Sequence, residues 1–350
     1  MLLTLLLALA AARLCVSIGT PIPWMIGPLL ATAFATMAGA PTDSSHALRN
    51  GGQWAIGAAL GLYFTPEVTA LVLSLWWAVG LGVVWAMLLG LGFGAWLQRA
   101  LASQLQGLAP TERRATTYFS GAIGGASEMT LLAERCGART DLVAAAHSVR
   151  MAVVVLSIPF AMQWAKQHWN LQALDMTPPG NRVAEWPGLL WLALATGAGA
   201  WLMRLTGRAN PWFIGALLAA MVPTMVGVHL SAVPTALTNA AQLVIGISLG
   251  VRFTREFLRA APRWLLAAAL GTFGMIGLCG AFAWGVSWAT GIHPVTLMLA
   301  TSPGGITEMA ITAKVLQLGV PVVTAFQVCR LVAVLLLAEP MFRWWSARNP

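Results

Sequence analysis

Two glutamates lie in a motif that occurs twice in this apolar sequence. Glu128 belongs to GGASEM, which begins at Gly124, and Glu308 belongs to GGITEM, which begins at Gly304. Because an apolar environment makes a charged carboxylate costly, a carboxyl group there can take up a proton or hold a cation. We therefore predict that the two glutamates couple H+ or Na+ to a solute that binds beside them.

An arginine follows each motif at the same spacing. Arg150 and Arg330 each lie 22 residues after the motif glutamate, within the next apolar segment. A guanidinium in the membrane requires a partner. Two compatible interpretations remain open: a structural Glu–Arg pair within each half, or recognition of an anionic solute by the bidentate arginine fork.

The paired glycines of each motif predict a break in a helix near the middle of the membrane, since glycine lets the backbone turn and another segment approach closely. Ser127 and Thr307 are predicted to cap the arm that follows, whose free N–H groups would attract an anion. Packing between helices is the alternative role for such glycines. The predicted substrate-binding and ion-binding site comprises Gly124, Gly125, Ser127, Glu128, Arg150, Gly304, Gly305, Thr307, Glu308 and Arg330.

The remaining reactive side chains give weaker signals. His147 lies one turn before Arg150 and could relay protons, but Gln327 takes its place in the second copy, which favours a polar, helix-facing role. The five histidines are dispersed, and the four cysteines show no C-x-x-C spacing. We predict no metal, no cofactor and no enzymatic activity.

The composition predicts that the helices carrying these residues lie in a membrane. The chain is 58% hydrophobic and only 9% charged, with a mean hydropathy of +0.76, which excludes an ordinary soluble domain. Its net charge of +9 is spread over many short loops, so no nucleic-acid partner is predicted. The first twenty residues lack a basic start, and we expect them to form the first membrane helix.

An internal repeat divides the chain. PWMIGPLLA matches PWFIGALLA 188 residues later, QWAIGAALGLYFTPE matches QLVIGISLGVRFTRE at an offset of 189, and the two glycine motifs are 180 residues apart. The order is the same in both halves, as a duplication requires. We predict a first membrane repeat at 1–165, a linker at 166–186 and a second repeat at 187–350.

The predicted topology follows from the apolar segments and the arginines. The segments of the glycine motifs, 116–137 and 294–319, have arms too short to span, so we predict re-entrant hairpins, with a broken crossing helix as the alternative. Five crossings per half then make the repeats inverted. With both termini in the cytoplasm, fourteen of the twenty Lys and Arg residues lie inside, in accord with the positive-inside rule. The other predicted segments are 2–18, 22–40, 51–64, 68–98, 141–165, 187–203, 211–229, 238–251, 264–290 and 320–342.

The duplicated PW(M/F)IG, the IGxxLGxxFTxE segment and GG(A/I)(S/T)EM with its downstream arginine together resemble the AbrB family of bacterial membrane proteins. The resemblance covers nearly the whole chain and both repeats. The family's names imply regulation of gene expression or an ammonia monooxygenase. The residues support neither directly, because an oxygenase needs clustered ligands and a DNA-binding regulator needs a soluble reader.

The sequence thus predicts an all-α polytopic protein of the bacterial inner membrane, with two inverted repeats of about five transmembrane helices and one re-entrant or broken hairpin each. Its predicted function is secondary transport of a small, anionic solute, coupled to H+ or Na+. A membrane sensor or regulator with the same binding site is the alternative, and a membrane monooxygenase is a distant third. The solute and the lipid bilayer are the predicted partners, and a homo-oligomer is left open.

Overall fold

The structure is a computed structural model that describes residues 1–169, 184–207, 210–228 and 231–348, and within these ranges every regular element is a helix. Most of the predicted linker therefore lies outside the described residues. The first half contributes α1 (Leu2–Ser17), α2 (Pro23–Ala38), α3 (His46–Gly61), α4 (Pro66–Ser74), α5 (Trp76–Ala100), α6 (Pro110–Gly121), α7 (Ala126–Arg135) and α8 (Thr140–His168). The second half contributes α9 (Trp186–Leu205), α10 (Pro211–Met225), α11 (Thr235–Gly250), α12 (Arg255–Ala260), α13 (Pro262–Thr290), α14 (Pro294–Thr301), α15 (Ile306–Leu316) and α16 (Val320–Arg348).

Five of these helices are long and apolar enough to cross a membrane, namely α5, α8, α9, α13 and α16. Four shorter apolar helices, α1, α2, α10 and α11, have 15 or 16 residues, which corresponds to about 24 Å at 1.5 Å per residue. The helical composition and these spans are those of a polytopic membrane protein.

The predicted segments correspond to helices, with two differences. The predicted segment 68–98 is two helices, because α4 ends at Ser74 and α5 begins at Trp76. The chain also bends by 89° between α3 and α4. Thr65 precedes the first residue of α4, Pro66, and its hydroxyl accepts a hydrogen bond from the Val68 N–H at 3.4 Å, as a residue that caps the start of a helix does. The second difference is α12, which takes the place of α4 in the second half; it is six residues long and was not predicted.

The eight helices of the first half recur in the same order in the second half. Long helices occupy the fifth and eighth places in both, and the motif segment forms two short helices in both. This order is what the sequence offsets predict, so the duplication extends from motifs to elements.

The chain forms two compact units, and each takes segments from both repeats. Unit 1 consists of Met1–Ser74, Pro159–Arg255 and Ala310–Val322, and unit 2 consists of Leu75–Ile158, Glu256–Met309 and Val323–Pro350. The division into compact units therefore differs from the division into sequence repeats.

Unit 1 is held together by reciprocal packing of two repeated motifs. A Cβ atom at Gly246 of α11 would lie 2.5 Å from the Met25 carbonyl oxygen of α2, and one at Gly250 would lie 2.6 Å from that of Leu29. In the other pair, a Cβ atom at Gly61 of α3 would lie 2.5 Å from the Leu217 carbonyl oxygen of α10, and one at Gly57 would collide with the Phe213 backbone. The IGxxLG glycines of each half thus receive the PW(M/F)IG helix of the other half.

Unit 2 contains both glycine motifs and has its own apolar core. Helix α5 packs against α6 and α13, and α13 packs against α14. Tyr118, Phe119 and Phe342 form an aromatic cluster with ring centroids 5.1 to 5.3 Å apart. The Tyr118 hydroxyl also donates to the Ala338 carbonyl at 2.8 Å, so this cluster joins α6 to α16.

Candidate functional site

Each glycine motif begins within a break between two short helices. The first break spans residues 122–125 between α6 and α7, and the second spans 302–305 between α14 and α15. Both breaks contain the glycine pair at their end, as the sequence predicts. The free C-terminal carbonyls of one helix and the free N–H groups of the next helix therefore lie within four residues.

The second glycine of each pair makes room for the motif glutamate. A Cβ atom at Gly125 would collide with the carboxylate of Glu128, and one at Gly305 would collide with that of Glu308. Each carboxylate therefore folds back against the backbone at the start of its own helix. A side chain larger than hydrogen at these glycines would displace the carboxylate.

The first glycine of each pair makes room for the methionine that ends the motif. A Cβ atom at Gly124 would lie 2.7 Å from Met129 Cε, and one at Gly304 would lie 2.9 Å from Met309 Cγ. Both methionines are fully buried. The spacing of GGxxEM thus has a structural reason: the methionine side chain packs against the first glycine, and the glutamate side chain packs against the second.

The predicted capping role of Ser127 and Thr307 is wrong. Helix α7 begins at Ala126 with Gly125 as its N-cap residue, and α15 begins at Ile306. Both hydroxyl residues therefore lie inside the first turn, although the side chain of Ser127 lies outside the described part of the structure. The glutamate is the third residue of each helix, where an acidic side chain can reach back to the N-terminus and replace a hydroxyl cap.

The two arginines bind the carbonyl end of each break. Arg330 donates from Nη1 to the Ser302 carbonyl at 2.6 Å and from Nη2 to the Gly304 carbonyl at 2.7 Å. Arg150 donates from Nη1 to Ala122 at 3.1 Å and from Nη2 to Gly124 at 3.4 Å. These contacts are equivalent at the repeat offset of 180. Arg150 therefore fixes the first break to α8, and Arg330 fixes the second break to α16.

His147 and Gln327, which the sequence places at equivalent positions of the two halves, contribute a second contact. His147 Nε2 lies 2.9 Å from the Phe119 carbonyl, and Gln327 Nε2 lies 2.9 Å from the Leu299 carbonyl. His147 Nδ1 accepts from Arg150 Nη2 at 2.6 Å, which requires a neutral imidazole with its proton on Nε2. The repeat offset predicts that these two residues are equivalent, but it does not predict their carbonyl partners.

The two breaks differ in exposure. Glu308, Arg330 and Thr307 are at most 7% exposed, whereas Glu128 and the glycines of the first motif are half-buried. Arg150 is buried like Arg330, and the Nε atom of each has no hydrogen-bond partner. The first break is thus the more accessible one.

The second break packs against the helix that carries the first arginine. A Cβ atom at Gly305 would lie 2.7 Å from Met151 Cε, and one at Gly304 would lie 2.8 Å from Val154 Cγ1. Met151 directly follows Arg150 on α8. Residues from both repeats therefore meet in unit 2 and form one candidate site.

The candidate site contains no metal-binding arrangement of side chains. Within the described ranges, no three His, Cys, Asp or Glu side chains lie close enough together to hold a metal ion. The arrangement can instead bind charge through backbone dipoles, two guanidinium groups and two carboxyl groups.

The helices, the spans and the broken motif segments define a polytopic membrane protein with a duplicated plan. The chain belongs to the AbrB family, whose profile, described as "Transition state regulatory protein AbrB", matches residues 24–346. The resemblance predicted from the motifs is thereby confirmed.

Two curated relatives match nearly the full chain. One is "Uncharacterized protein YhjN" of Bacillus subtilis (strain 168), 26% identical over 348 residues that cover 93% of this chain and 88% of that protein. Another is "Putative regulator AbrB" of Escherichia coli (strain K12), 25% identical over 339 residues that cover 94% of this chain and 92% of that protein. The alignments thus extend over both repeats.

Proposed function

We propose that this protein is a secondary transporter of a small, anionic solute across the bacterial inner membrane, and that it is not an enzyme. The observation that carries the proposal is the pair of equivalent helix breaks in unit 2. Each break has a glutamate carboxylate at the N-terminus of the helix that follows it and an arginine at the carbonyl end of the helix that precedes it. Interrupted helices with free ends near the midplane are a recurrent way to bind solutes in transporters.

The arginines support an anionic solute. The hydrogen bonds that the guanidinium groups of Arg150 and Arg330 donate go to backbone carbonyls and to His147. These acceptors are uncharged, so the two buried side chains leave positive charge in the site. Because charge in an apolar setting interacts strongly, an anion gains more here than a neutral solute.

The topology in this proposal is that of two inverted repeats. Each repeat would cross the membrane five times, with the motif segment as a re-entrant hairpin, and both termini would lie in the cytoplasm. The concentration of Lys and Arg on the cytoplasmic side supports this arrangement. The solute would bind where residues of both repeats meet, and access would alternate around that point.

The glutamates would couple transport to an ion. The Glu128 and Glu308 carboxylates lie at the N-terminal ends of α7 and α15, which are also the ends that would attract an anionic solute. Solute and carboxylate therefore compete for the same helix ends. Protonation of the carboxyl group, or cation binding to it, would leave the N-terminus of the helix available to bind the solute.

The test of this function begins with the purified protein. A thermal-shift screen against small anions, amino acids and metabolites identifies a ligand by the stability that it adds. Uptake of that ligand is then measured in proteoliposomes with Glu128→Gln and Glu308→Gln variants, and Glu339→Gln serves as the control because Glu339 pairs with Arg343 at the surface of α16. We expect both motif variants to lose uptake and the control to retain it. Full transport by both motif variants would sink the assignment.

A membrane sensor or regulator is the second candidate, and it is favoured by the similarity to the Escherichia coli relative, which is named a regulator. In that function the same site would bind a ligand, but nothing would cross the membrane. Ligand-dependent stabilisation without any uptake in proteoliposomes would support the sensor. A membrane monooxygenase stays third, because it would need ligand clusters of a kind that the described residues lack.

A further inference from the structure

The carbonyl ends of the two breaks are already occupied by positive charge. A helix that ends within the membrane exposes carbonyl oxygens and the negative end of its dipole. In transporters with interrupted helices, such ends coordinate the coupling cation. Here the carbonyls of Ser302 and Gly304 receive the fork of Arg330, and those of Ala122 and Gly124 receive the fork of Arg150.

Further carbonyls at the same ends are used by neighbouring side chains. Gln327 Nε2 donates to the Leu299 carbonyl at 2.9 Å and to that of Ser302 at 3.3 Å. In the first half, His147 donates to the Phe119 carbonyl, and Arg150 adds a longer contact of 3.5 Å to Gly121. A mobile cation at either end would compete with donors that are covalently part of the protein.

Burial favours this occupation. Arg150 is 2% exposed and Arg330 is 4% exposed, so little water can reach either guanidinium to replace its carbonyl partners. A sodium ion at these oxygens would also stand within contact distance of a fixed positive charge, which the low dielectric of the interior would make strongly repulsive.

We infer that Arg150 and Arg330 are built-in cations, which take the place of a mobile coupling ion at the carbonyl ends, so that solute binding at these breaks does not require sodium. The inference rests on the proposed transport function and narrows it, since it leaves the proton as the ion that the motif glutamates can couple. In this inference the arginines neutralise the carbonyl ends of the helices, in addition to attracting an anion.

The first experiment uses the wild-type protein. Its thermal unfolding midpoint is measured in NaCl, KCl and choline chloride at equal ionic strength, and solute uptake into proteoliposomes is measured with and without a sodium gradient. We expect the same midpoint in all three salts and the same uptake in both conditions. A midpoint that rises in sodium alone, or uptake that requires sodium, would overturn the inference.

The second experiment empties one carbonyl end. In the Arg330→Ala variant we expect a lower unfolding midpoint that millimolar methylguanidinium restores in part, because the small cation can occupy the vacated carbonyls. Arg343→Ala is the matched control on the same helix, since Arg343 is exposed and pairs with Glu339; its midpoint should not respond to methylguanidinium. Equal responses of the two variants would contradict the built-in cation.

The inference can be tested even if one variant does not fold. If Arg330→Ala does not fold, Arg150→Ala is used in the same way, and the wild-type salt comparison needs no variant. The unfolding measurements also separate this inference from the proposed function. A protein that transports nothing under any condition contradicts the transporter, whereas a sodium-specific midpoint contradicts the built-in cations alone.

Discussion

Arg330 donates from Nη2 to the backbone carbonyl of Gly304 at 2.7 Å. The acceptor belongs to the first glycine of the GGITEM motif, so the arginine holds the break itself. The sequence had left open a direct Glu–Arg pair. In the structure the two residue types lie at opposite ends of the break. The arginine binds the carbonyl end of the preceding helix, and the glutamate lies at the N-terminus of the following helix.

Replacing His147 should show whether it holds the break or relays protons. Glutamine at position 147 can make the contact that Gln327 makes in the other half, so His147→Gln should preserve stability and uptake. His147→Leu leaves the Phe119 carbonyl without its donor, which costs about 1–3 kcal/mol for a buried group. Unfolding midpoints and uptake are measured for both variants. Loss of uptake in a well-folded His147→Gln variant would indicate a proton relay instead.

Helix packing in unit 1 should be sensitive to a single methyl group. Gly246→Ala places a Cβ atom 2.5 Å from the Met25 carbonyl oxygen, and backbone cannot move aside cheaply, so we expect a loss of about 1–3 kcal/mol. Gly51→Ala on α3 is the control, because no atom lies within 4 Å of its added Cβ. Alanine should leave stability unchanged or raise it by up to about 1 kcal/mol there. Equal midpoints for the two variants would refute the close approach.

Function and stability should separate at Gly305. The three atoms nearest to an added Cβ belong to the flexible ends of Glu308 and Met151, and these side chains can rotate away. Gly305→Ala should therefore fold with a small change in midpoint but lose uptake, because the carboxylate is displaced from its helix end. Gly277→Ala, where the added Cβ meets open space, should behave like the wild type in both assays. An active Gly305→Ala protein would show that the carboxylate position is unimportant.

Stability should depend on pH through His293, which lies in the turn before α14. Burial lowers the pKa of this imidazole from its ordinary value of 6.5, and its Nδ1 accepts from the Val295 N–H at 3.3 Å. The folded state therefore binds fewer protons than the unfolded state, so the contribution is complete above pH 6.5 and declines as the pH falls below it. His293→Asn can still cap the helix but cannot titrate. The difference in midpoint between variant and wild type should grow from pH 7.5 to pH 5; a constant difference would contradict the prediction.

The sequence was informative wherever side chains carry the signal. Apolar length and composition predicted the described helices, of which five are long enough to span a membrane, and paired glycines predicted both breaks. The division between α4 and α5 at Leu75 was not predicted, because the apolar pattern runs on through it and hydropathy alone cannot show where one apolar helix ends and the next begins.

The contacts of the site were harder to predict, because backbone carbonyls are the same at every residue. Nothing in the sequence shows that Arg150 and Arg330 would choose them over the motif glutamates. The capping error at Ser127 and Thr307 has a related cause. Both helices begin two residues earlier than a cap at Ser127 or Thr307 requires, and the residue types alone do not show where the first helical turn starts.

The reciprocal glycine packing of unit 1 also bears on how such a protein could have arisen. Gly57 and Gly61 are covered by α10, and Gly246 and Gly250 are covered by α2, so neither half buries its own glycine face. A precursor with a single repeat would meet this requirement only by pairing with a second copy of itself. Fusion of the two genes would then have turned a homodimer contact into an intramolecular one, and the first half must still wait for synthesis of the second before unit 1 can close.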